Sequence, residues 1–528
     1  MSAVTSRGAQ GECHAQREAT EPSWFHNQVM ENTPTTSIPV VDASSNVADV
    51  PIVTSGGPTR IERDSLGERA IPVDAYWGVH TSRALENFPI TKRPISVYGD
   101  LVVALASVKL AAARANREIG VLDEHRADLI QRACQRIIDG EFHDQFVVGV
   151  MQGGAGTSTN MNANEVIANI ALELDGHAKG DYQFMSPIDD VNRSQSTNDT
   201  YPTAVKIALA FGLSHLLEQL ALLRDSFARK GREFHDILKV GRTQLQDAVP
   251  MTLGQEFHGF ATTLTEDHDR LTETLSLLGE INLGATAIGT GITADPRYAA
   301  SAVKHLRLIT GLDLTTAPDL IESTSDAGAF MSFSASLKRS AIKLSKICND
   351  LRLLSSGPQA GLGEINLPPR QAGSSIMPGK VNPVIPEVVN QVAFSVAGAD
   401  VTVTMAAEGG QLQLNAFEPV IAHSLLQSIT WMTQAFFTLR VNCIDDITAN
   451  EERLELMVGS SVGVITALTP DIGYAAAAAL AKTALLTGRN VADLVVEANL
   501  MTRERVTHLL SPARLSGLET LTGSIPVV

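Results

Sequence analysis

The most informative part of the chain is GSSIMPGKVNP at residues 373–383, a polar segment with two glycines and one lysine. It is not a Walker loop, because five residues separate Gly373 from Gly379 where that motif requires four. Val381 also stands where a Ser or Thr would have to hold magnesium. A nucleotide-binding P-loop is therefore excluded, and the segment needs another explanation.

Three more polar segments interrupt the chain, and two of them contain glycine. They are GTSTNMNANE at 156–165, QSTNDTYPT at 195–203 and GRTQLQDAVPMT at 241–252. Each of the four segments precedes a predicted helix, where unpaired backbone N–H groups and the positive end of the dipole favour an anion. If the fold brings them together, they form a pocket of short neutral donors plus one lysine. Such a pocket suits a small dicarboxylate.

The alternative is that these polar side chains only cap helices, as Ser, Thr and Asn commonly do. The candidate caps are Thr157, Ser158, Asn198 and Thr252. Thr252 with Gln255 also has the spacing of a capping box. Together, however, the four segments hold more Ser, Thr and Asn than capping requires. GTGITA at 289–294 fits a dinucleotide-binding pattern only weakly, because no predicted strand surrounds it.

Helical periodicity dominates from Leu101 onward and predicts a mainly α fold. Two seams step by four and three residues, as expected for helices packed nearly parallel. They consist of Leu209, Leu213, Leu216, Leu220 and Leu223, and of Leu337, Ala341, Leu344, Cys348 and Leu351. With further helices near 252–280, 386–408 and 418–440, the pattern predicts about five long central helices. Cys348 is interpreted as core packing.

Composition divides the 528 residues into four regions. We expect a disordered N-terminal extension at 1–59, a mixed helical domain at 60–195, a long-helix bundle at 196–449 and a small helical domain at 450–528. The extension has neither the Arg-rich composition of a mitochondrial presequence nor the apolar core of a secretory signal. Its function is not readable from its residues.

Charge and cysteine usage exclude several functions. The formal charge of −17 disfavours nucleic acid and anionic membrane surfaces as partners. No uninterrupted apolar run approaches 18 residues, so we expect a soluble protein. Four widely spaced cysteines without a CxxC pair indicate a reducing compartment, and the cytoplasm is the predicted location. No metal-ligand spacing is present, so no metal or other cofactor is expected.

GSSIMPGKVNP is similar to the signature loop of the aspartase/fumarase superfamily, and the similarity extends over roughly residues 60–510. It begins at RIERDSLGERAIPVDAYWGVHTSRALENF, residues 60–88. The resemblance implies three mostly helical domains, with the central helices of four subunits forming one bundle in a homotetramer. It also implies active sites that each take residues from three subunits.

The resemblance implies the deamination of L-aspartate to fumarate and ammonium through an aci-carboxylate dianion, with Ser374 as the general base. Because a serine hydroxyl is a poor base, its alkoxide would need loop N–H groups and a nearby cation such as Lys380. The remaining assignments are also carried by the resemblance. Lys380, Asn382 and Thr243 would grip the α-carboxylate, Thr157, Ser196, Thr197 and Ser375 the β-carboxylate, and Asn198 the amino group.

Gln244 is a departure from many superfamily members, fumarases in particular, which have a histidine at this position. Its matching role in the site is therefore open, and a histidine proton relay is disfavoured. Together with QLQLNAFEPVI at 411–421, the GRTQ sequence favours an ammonia lyase over a hydratase. The alternatives are a fumarate hydratase and a non-catalytic structural member of the superfamily. Lys239, just before GRTQ, could act electrostatically or be a solvated surface lysine.

Overall fold

A computed structural model describes residues 57–517. The predicted extension at 1–59 lies outside the described residues except for its last three positions. The first part of the described chain combines a β-hairpin with four helices. Its elements are β1 (Thr59–Asp64), β2 (Gly67–Pro72), α1 (Val79–Asn87), α2 (Gly99–Glu118), α3 (Glu124–Ile138) and α4 (Thr157–Leu174).

The central part contains five long helices with short elements between them. Its elements are α5 (Thr197–Glu233), β3 (Leu238–Thr243), β4 (Gln246–Thr252), α6 (Leu253–Glu273), α7 (Leu275–Gly279), β5 (Glu280–Ile281), α8 (Thr286–Gly289), α9 (Tyr298–Thr310), β6 (Thr315–Thr316), α10 (Leu320–Ser325), α11 (Gly328–Leu354), β7 (Ile365–Asn366), α12 (Val384–Glu408), α13 (Glu418–Asn442) and β8 (Thr448–Ala449). Helix α5 packs on α2, α6 and α13, while α12 packs on α11 and α13. The predicted mainly α fold with a long-helix bundle is confirmed.

Both predicted seams lie in the main hydrophobic core. All ten side chains are at most 1% exposed, which is the result expected when apolar residues step by three and four along packed helices. Cys348 is buried among them, and burial raises the pKa of its thiol well above the usual range. The interpretation of Cys348 as core packing is therefore confirmed, because a thiol of this kind is unreactive.

The last part of the chain consists of short helices. They are α14 (Glu451–Ser460), α15 (Thr469–Ile472), α16 (Tyr474–Thr487), α17 (Val491–Glu497), α18 (Arg503–Leu509) and α19 (Pro512–Leu515). Apolar side chains between Val464 and Leu509 form a second hydrophobic cluster, separate from the main core. The domain boundaries at 59/60, 195/196 and 449/450 stay predictions.

Two helices of the described chain, α5 and α12, are long and apolar enough to cross a membrane by length and composition. No uninterrupted apolar run of this length occurs in α5 or α12, because polar residues are scattered along both helices, but these residues lower the average hydropathy very little. The apolar window of α5 is 56% buried and that of α12 is 33% buried. On α12, Phe394, Val401 and Met405 are more than half exposed, so this helix carries an apolar surface.

Candidate active site

The first group of predicted site residues lies where α4 and α5 begin. Gly156 precedes α4 with a φ of 85°, and a Cβ there would lie 2.4 Å from the ring of Tyr201. Only glycine can occupy position 156, because any side chain there would prevent the close contact between the start of α4 and α5. Thr157 is the first residue of α4, is exposed, and donates its hydroxyl proton to the Gly154 carbonyl oxygen at 2.8 Å.

Ser196 caps α5, and Thr197 and Asn198 follow in its first turn. The Ser196 hydroxyl accepts from the Asn198 backbone N–H at 3.3 Å, while Asp199 accepts from the Ser196 backbone N–H at 3.1 Å. The expectation that Thr157, Ser158 or Asn198 caps a helix was wrong. Gly156 and Ser196 occupy the cap positions, so Thr157 and Asn198 lie inside their helices, where their side chains donate to backbone carbonyl oxygens instead of capping.

One hydrogen bond joins the starts of the two helices. The Asn160 amide nitrogen donates to the Thr197 hydroxyl oxygen at 3.0 Å. The structure therefore brings Thr157, Ser196, Thr197 and Asn198 into one neighbourhood. The positive ends of α4 and α5 both contribute to it, which makes the neighbourhood suited to a carboxylate.

A loop that the sequence analysis did not assign to the site packs against α5. The Asn198 amide nitrogen donates to the Ala287 carbonyl oxygen at 2.6 Å. Asp199 accepts from the backbone N–H groups of Gly284 and Thr286 at 3.2 and 2.9 Å. Thr286 and Ala287 have positive φ values of 33° and 47°, which are uncommon for residues other than glycine. The signal in the sequence was the glycine-containing stretch GTGITA at 289–294, which the sequence analysis interpreted only as a weak dinucleotide-binding pattern.

Thr243 and Gln244 lie at the tip of the β3–β4 hairpin and are exposed. The pairing of Thr243 with Gln246 leaves Gln244 and Leu245 as a two-residue turn, with φ values of 54° and 62°. Such turns usually contain Asn and Gly, so two larger side chains store strain here. Strain of this kind is concentrated at functional sites, which is consistent with a binding role for this tip. The Thr252–Gln255 capping box is confirmed where α6 begins.

Buried charges hold the base of this hairpin. Lys239 is 2% exposed and forms ion pairs with Glu256 at 2.6 Å and with Glu364 at 2.9 Å. Glu364 is fully buried and also pairs with Arg242. The alternative of a solvated surface Lys239 is therefore excluded. Lys239 and the carboxylates of Glu256 and Glu364 are fixed parts of the fold beneath the hairpin tip.

The loop at 373–383 is closed by its own backbone. The Gly373 N–H donates to the Lys380 carbonyl oxygen at 2.9 Å, and the Asn382 amide nitrogen donates to the Gly373 carbonyl oxygen at 2.9 Å. A Cβ at Gly373 would lie 2.2 Å from the Lys380 carbonyl oxygen, so a side chain there would open the loop. Ser375 and Lys380 are exposed, which leaves both side chains available to a ligand.

The hydroxyl oxygen of Ser374 accepts two backbone hydrogen bonds inside this loop. The donors are the N–H groups of Ile376 at 3.1 Å and Met377 at 2.9 Å. Two N–H donors directed at one oxygen stabilise negative charge on it. This geometry favours the alkoxide form that a serine base requires.

The predicted site residues of one chain fall into three groups. Thr157 and 196–198 form the first group, Thr243 and Gln244 the second, and Ser374, Ser375, Lys380 and Asn382 the third. Within residues 57–517, no hydrogen bond or ion pair links one group to another. The same range contains no cluster of three or more His, Cys, Asp or Glu side chains that could hold a metal ion.

Sequence comparison identifies the family. The profile described as Lyase matches residues 67–398, and the profile described as Fumarase C C-terminus matches residues 464–517. The chain belongs to the lyase family of the aspartase/fumarase superfamily.

Curated relatives that this chain resembles are aspartate ammonia-lyases. That of Pseudomonas aeruginosa is 59% identical over 458 residues, which covers 87% of this chain and 97% of the relative. That of Escherichia coli is 53% identical over 457 residues, which covers 86% of this chain and 96% of the relative.

Solved structures agree with this relationship. A fumarate lyase:delta crystallin from Brucella melitensis, with bound cobalt, is 54% identical with a TM-score of 0.85, covering 87% of this chain and all of that chain. A class II fumarase from Schistosoma mansoni is 33% identical with a TM-score of 0.82, covering 87% of this chain and 99% of that chain. The fold is therefore shared by lyases of different substrate preference.

Proposed function

We propose that this enzyme is a carbon–nitrogen lyase that converts L-aspartate reversibly into fumarate and ammonium. The observation that carries the proposal is its identity of 52–59% to aspartate ammonia-lyases over most of the chain. The more distant class II fumarase, at 33% identity, supports the hydratase alternative much less. Gln244 in place of the histidine of many fumarases favours the same choice.

The reaction begins with removal of a proton from the carbon next to the β-carboxylate, a very weak acid. In the proposed mechanism, the Ser374 alkoxide takes this proton, and the N–H groups of Ile376 and Met377 lower the cost of forming the alkoxide. Lys380, on the same closed loop, adds a positive charge. The bond to nitrogen then breaks, and ammonia leaves while the aci-carboxylate collapses to fumarate.

The remaining groups hold the substrate in this proposal. Lys380, Asn382 and Thr243 bind the α-carboxylate, whose charge is constant through the reaction. The hydroxyls of Thr157, Ser196, Thr197 and Ser375 bind the β-carboxylate, on which charge grows, so their contacts tighten in the transition state. Asn198 contacts the amino group. Thr157 would have to rotate its hydroxyl proton away from the Gly154 carbonyl oxygen to take part.

We propose further that the enzyme is a homotetramer whose sites combine residues of different subunits. Among residues 57–517 of one chain, no hydrogen bond or ion pair links the three groups of site residues, which supports sites completed by a neighbour. Helix α12 carries exposed apolar side chains, and its first turns line, together with α13, a groove of about 500 Å³ that includes Val388, Val392, Trp431 and Thr438. A surface of this kind on a long bundle helix is suited to contact with a second bundle.

A direct assay tests the function. Purified enzyme should form fumarate, followed by its ultraviolet absorbance, from L-aspartate and not from L-malate. Preferential turnover of L-malate would instead establish the hydratase, and turnover of neither substrate would favour a structural protein. We propose that the reaction needs no cofactor and occurs in the cytoplasm. Activity should therefore survive a chelator, and a complete loss on chelation would contradict that part of the proposal.

A further inference from the structure

A buried lysine to which the proposed mechanism assigns no role lies beneath the proposed substrate site. Lys109 of α2 is fully buried, and its ammonium group donates to the side-chain oxygens of Asn192 and Gln195, both at 2.9 Å. Burial lowers the pKa of Lys109, while the negative charge of Asp199 opposes this effect. Burying an ammonium group is costly, so its position among neutral amides calls for a reason beyond packing.

The contacts of Lys109 lead to Thr197 through two asparagines. The Asn192 side-chain oxygen accepts from Lys109 and also from the Asn160 amide nitrogen at 3.2 Å. The same Asn160 nitrogen donates to the Thr197 hydroxyl oxygen at 3.0 Å. Asn164 donates to the Asn192 oxygen at 3.2 Å as well, but it has no hydrogen bond to Thr197.

The chemistry of lysine fixes the direction of every bond in this chain. An ammonium group can only donate, so Asn192 must direct its oxygen toward Lys109. Asn160 must then direct its amide nitrogen toward that oxygen, which leaves its own oxygen buried and without a partner among residues 57–517. Because the Asn160 nitrogen occupies a lone pair of the Thr197 oxygen, the hydroxyl proton of Thr197 is free to point elsewhere.

We infer that Lys109 is a positioning residue which, through Asn192 and Asn160, keeps the Thr197 hydroxyl oriented to donate its proton to the substrate carboxylate. The inference rests on the proposed function, in which Thr197 binds the β-carboxylate. Without Lys109 the Asn192 oxygen loses one of its three donors, and the bond from the Asn192 amide nitrogen to the Gln195 carbonyl oxygen, at 3.2 Å, is left to oppose rotation of this amide. If Asn192 and then Asn160 rotate, the bonds of the chain reverse. Thr197 would then donate inward and present a lone pair to a carboxylate that gains negative charge.

A double-mutant cycle tests the link to Thr197. Asn160→Ala and Thr197→Val should each lower kcat by about 10- to 100-fold, at or below the lower limit of the range for loss of one preorganised donor. In the Thr197→Val background, Asn160→Ala should change kcat by less than about threefold, because the group it orients is absent. Asn164→Ala is the matched control, since it removes a bond to Asn192 without touching Thr197. Its effect should be the same in both backgrounds.

A second set of variants tests Lys109 itself. Lys109→Met should lower kcat by a similar factor with a smaller change in KM, and this loss should also disappear in the Thr197→Val background. If Lys109→Met does not fold, Asn192 gives the same test. Asn192→Leu breaks the connection, whereas Asn192→Asp keeps an oxygen that accepts from Lys109 and loses only the bond to the Gln195 carbonyl oxygen, so it should retain clearly more of kcat than Asn192→Leu.

The outcomes separate this inference from the proposed function. A parent enzyme that forms no fumarate from aspartate would contradict the proposed function. If Thr197→Val left kcat unchanged, Thr197 would not be a site residue and the inference would fail with that assignment. A different result would overturn the inference alone. In it, Thr197→Val is impaired, but Asn160→Ala lowers kcat by the same factor with and without Thr197, and so does Lys109→Met or Asn192→Leu. Equal losses in Asn192→Asp and Asn192→Leu would also overturn it.

Discussion

The Lys239 ammonium group lies 2.9 Å from the Glu364 carboxylate, and both side chains are almost completely buried. This ion pair connects β3, which carries Thr243 at its end, to the segment that leads into the loop at 373–383. Arg242 pairs with the same carboxylate. One acidic side chain therefore supports two cations at the base of the strained hairpin.

Replacement of Glu364 should destabilise the protein strongly. Glu364→Gln leaves Arg242 and Lys239 facing a neutral amide, and breaking a buried pair of this kind costs about 3–5 kcal/mol. Differential scanning calorimetry should show a clearly lower Tm, and the KM for aspartate should rise because the hairpin tip is less well held. Glu497→Gln is the control, since it breaks an exposed pair with Arg489 and should cost below about 1 kcal/mol. Equal Tm values for the two variants would contradict a structural role for Glu364.

Ser374→Ala should abolish most turnover and leave binding largely intact. A group that acts only in proton abstraction contributes to the barrier and little to ground-state binding, so kcat should fall by about 10²-fold or more. Steady-state rates and the dissociation constant of a competitive inhibitor measure the two effects. Ser186→Ala is a matched control, because Ser186 accepts from the N–H groups of Ile188 and Asp189 in the same local arrangement. If Ser374→Ala kept most of its activity, the assignment of the base would be wrong.

Lys380→Ala should weaken binding as well as rate. The ammonium group meets the α-carboxylate before chemistry begins, and a charge-assisted hydrogen bond contributes about 1.5–3 kcal/mol. The KM for aspartate should therefore rise by roughly 10-fold or more. Lys482→Ala, which removes an exposed lysine of α16, should leave KM unchanged. Identical Michaelis constants for Lys380→Ala and the parent would remove Lys380 from the substrate site.

Acid should remove the contribution of one ion pair near the start of the described chain. Two Arg83 hydrogen bonds at 2.7 Å hold the pKa of Asp64 at about 2, below its usual 3.8. Because the folded pKa is the lower one, this stabilisation is present above pH 3.8 and is lost as the pH falls through 2. Asp64→Asn should cost at most about 2 kcal/mol near neutral pH. Its Tm difference from the parent should shrink between pH 4 and pH 2, and a constant difference would contradict this.

Sequence periodicity predicted the bundle well because the burial of apolar side chains depends directly on their spacing. Leu213 and Leu344 are typical, since each lies in a seam that steps by three and four and is fully buried. The β3–β4 hairpin was missed because its turn, Gln244–Leu245, lacks the Asn and Gly that normally mark such turns. Tertiary contacts rather than local preference hold that turn in place.

The site was predicted only in part. Hydroxyl and amide side chains in four segments pointed to a carboxylate pocket, but their individual roles came from family resemblance. Lys109 was missed because a single lysine in an Ala- and Leu-rich helix gives no sign of burial. The partners of Lys239, at 256 and 364, are distant in sequence, so its ion pairs were not predictable from spacing.

Complementation between inactive variants tests most directly whether the proposed site combines residues of different subunits. Thr157→Ala and Ser374→Ala homotetramers should each be inactive or nearly so, because every pocket carries one lesion. If the two variants are unfolded together and refolded, random assembly should restore both side chains in about one quarter of the pockets. Activity should then return to a corresponding fraction of the parent value, while each variant refolded alone should stay inactive. Verified hybrid tetramers without activity would show that both residues of a pocket come from one chain, which would contradict the composite site.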